Sequence, residues 1–247
     1  MNYRLKIQYD GTRYRGWQRQ PGTEMTIQGK MEHVLSEFAG QKILIDGAGR
    51  TDAGVHAVEQ VANVHVPECV AQEPETVKQY LNMYLPEDIR VLSVERAGER
   101  FHSRLNATGK VYRYHILKFD AECVFLRKYA WKVTEPLDTG RMKMAAEQFV
   151  GKHDFRSFCS RASKKKSTVR TIHSIEIEET EQEIRLTFRG NGFLYNMVRI
   201  LTGTLVEVGA GKRQPEEMSR ILEKKERRYA GETAPAKGLF LIKVLYD

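Results

Sequence analysis

The residues best suited to chemistry lie in one segment, Gly47-Ala48-Gly49-Arg50-Thr51-Asp52-Ala53-Gly54-Val55-His56-Ala57. Asp52 is its only carboxylate. Gly47, Gly49 and Gly54 let the backbone take positive φ and approach a ligand closely. Arg50, two residues before Asp52, would keep that carboxylate ionised, the state a nucleophile or a base requires. The plainer reading is an Asx turn in a loop joining two strands, a common use of Asp. Two basic segments stand apart from this loop. Thr12-Arg13-Tyr14-Arg15-Gly16-Trp17-Gln18-Arg19 interleaves three arginines with two aromatic rings, and Arg161-Ala162-Ser163-Lys164-Lys165-Lys166 ends in a run of lysines. Cations beside rings can grip phosphates and stack on bases. A bare charge run is more often a solvated loop.

The whole chain leans the same way. It has 247 residues with 40 Lys+Arg against 32 Asp+Glu, a formal net charge of +8. An excess of positive charge points to an acidic partner, of which nucleic acid is the commonest. Hydrophobic content of 41% argues for a packed fold over disorder. Three cysteines without a CxxC pair argue against a disulfide framework or a zinc ribbon. The sequence contains no HExxH and no GxxxxGK[ST], so neither a metal nor a nucleotide cofactor is expected. No apolar run reaches the roughly 18 residues of a membrane span, and the opening residues form no signal-peptide core. The expectation is a chain that stays inside the cell.

The elements that must position these residues follow from periodicity. Tyr3, Leu5, Ile7 and Tyr9 alternate as in a half-buried strand. Ile27, Met31, Val34, Leu35 and Phe38 recur at helical spacing, with Gly40 as the stop. Strands are expected at 43–45, 58–66 and 89–94, and a helix from Pro74 with Val77, Leu81, Tyr84 and Leu85 on its apolar face. The order is β-α-β-β-α-β, that of a split βαβ or ferredoxin-like unit. The second half is looser. It reads as strands at 110–118 and 129–133, a helix at 138–150 and a hairpin of 171–178 with 184–189. An apolar helix over Leu194–Val208, a helix from Pro215 and a strand over Gly238–Tyr246 follow. These patterns predict two α/β halves, residues 1–105 and 106–247.

At this point several motifs converge. Gly49-Arg50-Thr51-Asp52-Ala53-Gly54-Val55-His56 resembles the signature of the tRNA pseudouridine synthase A family. Tyr9-Asp10-Gly11 with Gly16-Trp17-Gln18-Arg19-Gln20 is similar to that family's first strand and arm. Phe101-His102-Ser103-Arg104 and Lys110-Val111-Tyr112-Arg113-Tyr114 are similar to its central segment. Asn196-Met197-Val198-Arg199 and Gly203 are similar to its late helix. The match spans the chain in order and outweighs the plain turn reading of Asp52. It implies an α+β pseudouridine-synthase fold: two ferredoxin/RRM-like halves forming a mostly antiparallel mixed sheet flanked by helices, with an active-site cleft between them.

The resemblance also implies a reaction. Uridine in the anticodon stem-loop of tRNA is isomerised to pseudouridine, without cofactor or metal, by a cytoplasmic homodimer. Asp52 is carried over as the essential carboxylate, attacking C1′ or taking the C2′ proton. Arg50 and Arg199 are carried over as arginines that pair with Asp52 or contact phosphate, and Tyr112 as the tyrosine packing on the extracted base. A base that leaves its stack costs about a few kcal/mol. Arg13, Arg15, Trp17, Arg19, Lys164, Lys165 and Lys166 are the RNA-binding residues expected to offset that. His56 is expected to shape the loop and His102 to hydrogen-bond near the site. The rival reading is a non-catalytic RNA-binding or RNA-chaperone protein on the same fold, which would be expected to have lost Asp52 or Arg50. A nuclease would want clustered carboxylates or a histidine pair, which the sequence does not offer.

Overall fold

The computed structural model describes residues 1–160 and 167–247. Lys164, Lys165 and Lys166 lie outside the described residues. The chain divides into two compact units, Met1–Thr108 with Phe240–Asp247, and Gly109–Leu239.

The first unit begins with β1 (Asn2–Tyr9), whose alternating Tyr3, Leu5, Ile7 and Tyr9 are all buried. Helix α1 (Ile27–Ala39) starts where the Thr26 hydroxyl accepts the Gly29 N–H at 3.2 Å. It stops at Gly40, whose φ of 63° lies in the left-handed region and whose N–H reaches the Glu37 carbonyl. These are the cap residues such ends favour. Then come β2 (Ile45–Gly47), β3 (His56–His65), α2 (Pro74–Tyr84) and β4 (Ile89–Ala97). The β-α-β-β-α-β order expected from the sequence is present. β1 lies between β4 and β3, antiparallel to both, with Tyr3 opposite Val64 and Arg96. β2 lies antiparallel on the other side of β3, Ile45 opposite Val64.

One further strand completes this unit. β10 (Leu239–Leu245) runs parallel to β3 through Phe240 opposite His56 and Leu241 opposite Ala57. The expected division placed residues 240–247 in the second half, whereas they belong to the first unit. β2 covers β3 only at Ala62–Val64, so the edge at His56–Ala57 is left for another strand. A pairing of such long sequence separation leaves no mark in local periodicity.

The second unit contains β5 (Gly109–Leu117), β6 (Trp131–Lys132), α3 (Thr139–Glu147), β7 (Gly151–Asp154), β8 (Val169–Glu179), β9 (Glu183–Gly190), α4 (Met197–Gly209) and α5 (Glu217–Lys224). β5, β9, β8 and β7 are antiparallel neighbours in that order, and β6 joins β5 in parallel. The hairpin of β8 and β9 falls where expected. β7 was not expected, since four residues are too few to show a period. Helix α4 is apolar nearly all round and correspondingly buried. Its Thr202 and Thr204 hydroxyls donate to the carbonyls of Val198 and Ile200, both at 2.8 Å, which satisfies them inside the core. Among the described residues no helix is long and apolar enough to cross a membrane.

Both units are therefore mixed, mostly antiparallel sheets combined with helices. This is the α+β class that the sequence implied.

Candidate active site

Asp52 stands in the connection between β2 and β3. The Val55 N–H donates to the Asp52 carbonyl at 3.1 Å, closing a turn in which Gly54 has a φ of 76°. Of the three glycines in the segment, Gly54 alone takes positive φ. Gly47 serves a different need. A Cβ there would stand 2.5 Å from the Trp17 indole, so its openness admits the chain's own ring.

The loop alternates between residues turned in and residues turned out. Thr51 is buried, Arg50 is exposed and Asp52 is half-buried. Each inward group is held. The Thr51 carbonyl accepts the Trp17 N–H at 3.0 Å, and its hydroxyl lies 2.8 Å from the Tyr9 hydroxyl. The Gly49 carbonyl accepts from Gln60 Nε2 at 2.9 Å, and Gly54 N–H donates to the Tyr14 carbonyl at 3.3 Å. Residues 14–17 thus lie directly against the loop. Gly16 sits at a φ of 96°, and a Cβ on it would be 2.6 Å from the Thr51 carbonyl oxygen. Backbone conformation and close approach both require glycine there.

This packing changes the reading of the arm. Trp17 is 2% exposed and Tyr14 3% exposed. Trp17 was expected to bind RNA by stacking. Its ring instead fills the core, 6.1 Å between centroids from Tyr9 and against Gly47. Tyr14 is turned inward too, its hydroxyl donating to Asp88 at 2.5 Å. Burial, then the bond to Asp88, pushes its phenol well above the ordinary tyrosine range. The three arginines keep to the surface. Arg13 donates to Asp88 Oδ2 through Nε at 3.0 Å and Nη2 at 2.6 Å, and Arg19 reaches the buried Glu32 carboxylate at 3.3 Å.

His56 is 1% exposed. Its Nδ1 lies 3.1 Å from the Gly11 N–H and 3.0 Å from Asp10 Oδ1, and its ring stacks on Phe240 at 4.5 Å. These partners lie just after β1 and on β10. His102 makes local bonds: its Nδ1 accepts the Arg104 N–H at 3.2 Å and its own N–H donates to Asn106 at 2.8 Å.

The second unit carries the remaining two residues. Tyr112, on β5, is 8% exposed and meets Phe193 edge to face at 5.3 Å. Arg199, in the first turn of α4, donates from Nε to the Ala234 carbonyl at 2.7 Å and from Nη1 to Asn196 Oδ1 at 3.0 Å. Asn196 precedes the helix with a φ of 60°. Tyr114, two residues further along β5, is buried with its hydroxyl donating to the Pro235 carbonyl at 2.7 Å.

Sequence reasoning missed Tyr9 as a partner of Thr51, and it missed Gln60. The available signal for Gln60 was a polar residue inside the Val-rich stretch of β3. Among the described residues no group of three or more His, Cys, Asp or Glu side chains could hold a metal ion.

Comparison with known proteins gives this arrangement its context. Residues 6–106 and 145–247 match a family model described as tRNA pseudouridine synthase. The chain is 52% identical over 240 residues to tRNA pseudouridine synthase A of Bacillus sp. (strain KSM-64), covering 97% of each chain. It is 46% identical over 240 residues to tRNA pseudouridine synthase A 2 of Bacillus anthracis, again covering 97% of each. Over 250 residues it is 43% identical to tRNA pseudouridine synthase A of Geobacillus sp. (strain WCH70), covering 100% of each. An α+β enzyme with this degree of likeness is an isomerase that makes pseudouridine. The chain belongs to the tRNA pseudouridine synthase family.

Proposed function

We propose that the substrate is tRNA, that the modified uridines lie in its anticodon stem-loop, and that Asp52 is the essential carboxylate. The observation that carries this is the loop itself. Gly49 and Thr51 are held inward, so Arg50 is exposed and Asp52 is left half-buried. In the reaction the N1–C1′ bond breaks and the base rejoins the ribose through C5. The C5 proton leaves and N1 gains one, so nothing is oxidised or reduced. Asp52 acts by attack at C1′ or by removal of the C2′ proton. Deuterium at C2′ separates these routes, because only the second breaks that bond.

Arg50 and Arg199 contact the substrate phosphates or the Asp52 carboxylate, as fork-shaped cations suit both. Tyr112 packs on the base. Arg13, Arg15 and Arg19 lie on the surface and hold RNA phosphates together with Lys164, Lys165 and Lys166. The enzyme works in the cytoplasm as a homodimer, one subunit gripping the tRNA body while the other presents the loop. Two separate basic segments in one chain motivate this. Full activity from a strictly monomeric species in ultracentrifugation would defeat it.

The test is tritium release from tRNA carrying 5-tritiated uridine, with wild type and Asp52→Asn in parallel and EDTA present. Wild type should release tritium. Asp52→Asn should release none while still binding tRNA. Release by both would mean that another carboxylate does the work, and release by neither, with tRNA bound, would point to a binding protein.

A further inference from the structure

We infer that Tyr9 and Gln60 are positioning residues for Asp52, acting through the two backbone residues that flank Arg50. The inference rests on the proposed role of Asp52 and extends it to two side chains outside the loop. Tyr9 closes β1 and is 3% exposed, while Gln60 lies in the middle of β3 and is fully buried. Neither approaches solvent, so neither touches substrate. Together they reach the loop at consecutive inward positions. Gln60 Nε2 holds the Gly49 carbonyl at 2.9 Å, and the Tyr9 hydroxyl holds the Thr51 hydroxyl at 2.8 Å. Gln60 Oε1 also accepts the Val61 N–H at 3.2 Å.

These are polar groups placed in an apolar core. Buried polar groups left unpaired are destabilising, so apolar residues would have filled the same space at lower risk. Their placement makes sense if it fixes a backbone. Two anchors on alternate residues set both the translation and the twist of the segment between and beyond them. The residues left outside the anchors are Arg50 and Asp52. Backbone groups of Tyr14 and Trp17 also meet the loop, at Gly54 and at the Thr51 carbonyl.

The test uses full-length enzyme with tRNA and measures kcat, KM, tRNA affinity and Tm for Tyr9→Phe, Gln60→Met and the double variant Tyr9→Phe/Thr51→Val, with Asp52→Asn as reference. A displacement of about 1 Å at a reacting group can cost about 100-fold. Tyr9→Phe and Gln60→Met should therefore each lower kcat by roughly 10- to 100-fold, with KM and tRNA affinity within about two-fold of wild type. The double variant leaves no orphaned hydroxyl, so its Tm should recover toward wild type. Its kcat should stay low, because the anchor is still missing. Wild-type kcat in both single variants would overturn the inference. So would a kcat that recovers along with Tm in the double variant, which would mean the pair serves stability alone. If Asp52→Asn itself turns over normally, the role of Asp52 has failed, and that result is distinguishable from either of these.

Discussion

Arg15 and Trp17 stand two residues apart in the same arm and face opposite ways. Arg15 is exposed, whereas Trp17 is 2% exposed and packed over Gly47. Arg15→Ala should weaken tRNA binding and lower the slope of log affinity against log salt by roughly 1, with Tm unchanged. Trp17→Ala should instead cost about 3–5 kcal/mol of stability, as truncation of a large core ring does. Thermal denaturation and filter binding over a salt series distinguish the two. Residue type alone could not separate them, since Trp beside Arg suits a stacking platform and a core edge equally well. What decides is Gly47, thirty positions away in the chain, which leaves a space of the right shape for the indole.

Helix α4 shows the same point for a whole element. In an isolated helix Gly→Ala gains about 1 kcal/mol. At Gly203 the sign should reverse. A Cβ there would stand 2.1 Å from the Glu232 carbonyl oxygen, a backbone atom that cannot swing aside. Gly203→Ala should lower stability by about 1–3 kcal/mol, the range for an overpacked core, read as a drop in Tm. The apolar run of α4 and its late position were legible in the sequence. The requirement for glycine comes from a segment that crosses it some thirty residues later. β7 was missed for a related reason: its four residues become a strand only because β8 offers an edge, with Gly151 opposite Ile172 and Asp154 opposite Val169.

At the scale of the whole molecule, three carboxylates of the second unit are held below their ordinary range: Asp154, Glu179 and Glu183. For Glu183, burial works to raise the pKa, but hydrogen bonds and charge from His115 and Arg185 outweigh it. The same holds at Asp154, where Thr168, the Arg156 N–H and Lys225 prevail over burial. At Glu179 the bonds from Lys118 and Thr139 dominate. A carboxylate with a lowered folded pKa stabilises the fold above its unfolded value, about 4.3 for Glu and 3.9 for Asp. That contribution is lost as pH falls through the folded value. The second unit should therefore lose stability progressively below about pH 4.3. The two tryptophans allow a direct reading, since Trp17 belongs to the first unit and Trp131 to the second. In a Trp17→Phe background, denaturation followed through Trp131 should show this acid-side fall, and Glu183→Gln should flatten it. An unchanged slope in Glu183→Gln would remove Glu183 from the account.

By itself the sequence determined the α+β class, the β-α-β-β-α-β order of the first unit and the segment that carries Asp52. Period-2 and period-3.6 patterns, Gly40 as a helix end, and a contiguous motif are all local, and local signals survive in one dimension. The tertiary structure decided which groups hold that segment and which face of the arm is dry. Tyr9 meets Thr51 across 42 positions, and β10 meets β3 across more than 180. Trp17 was free to stack on a base until Gly47 and Tyr9 were brought beneath it. Such contacts depend on chain closure between distant residues, and no period or spacing within a window encodes their partner.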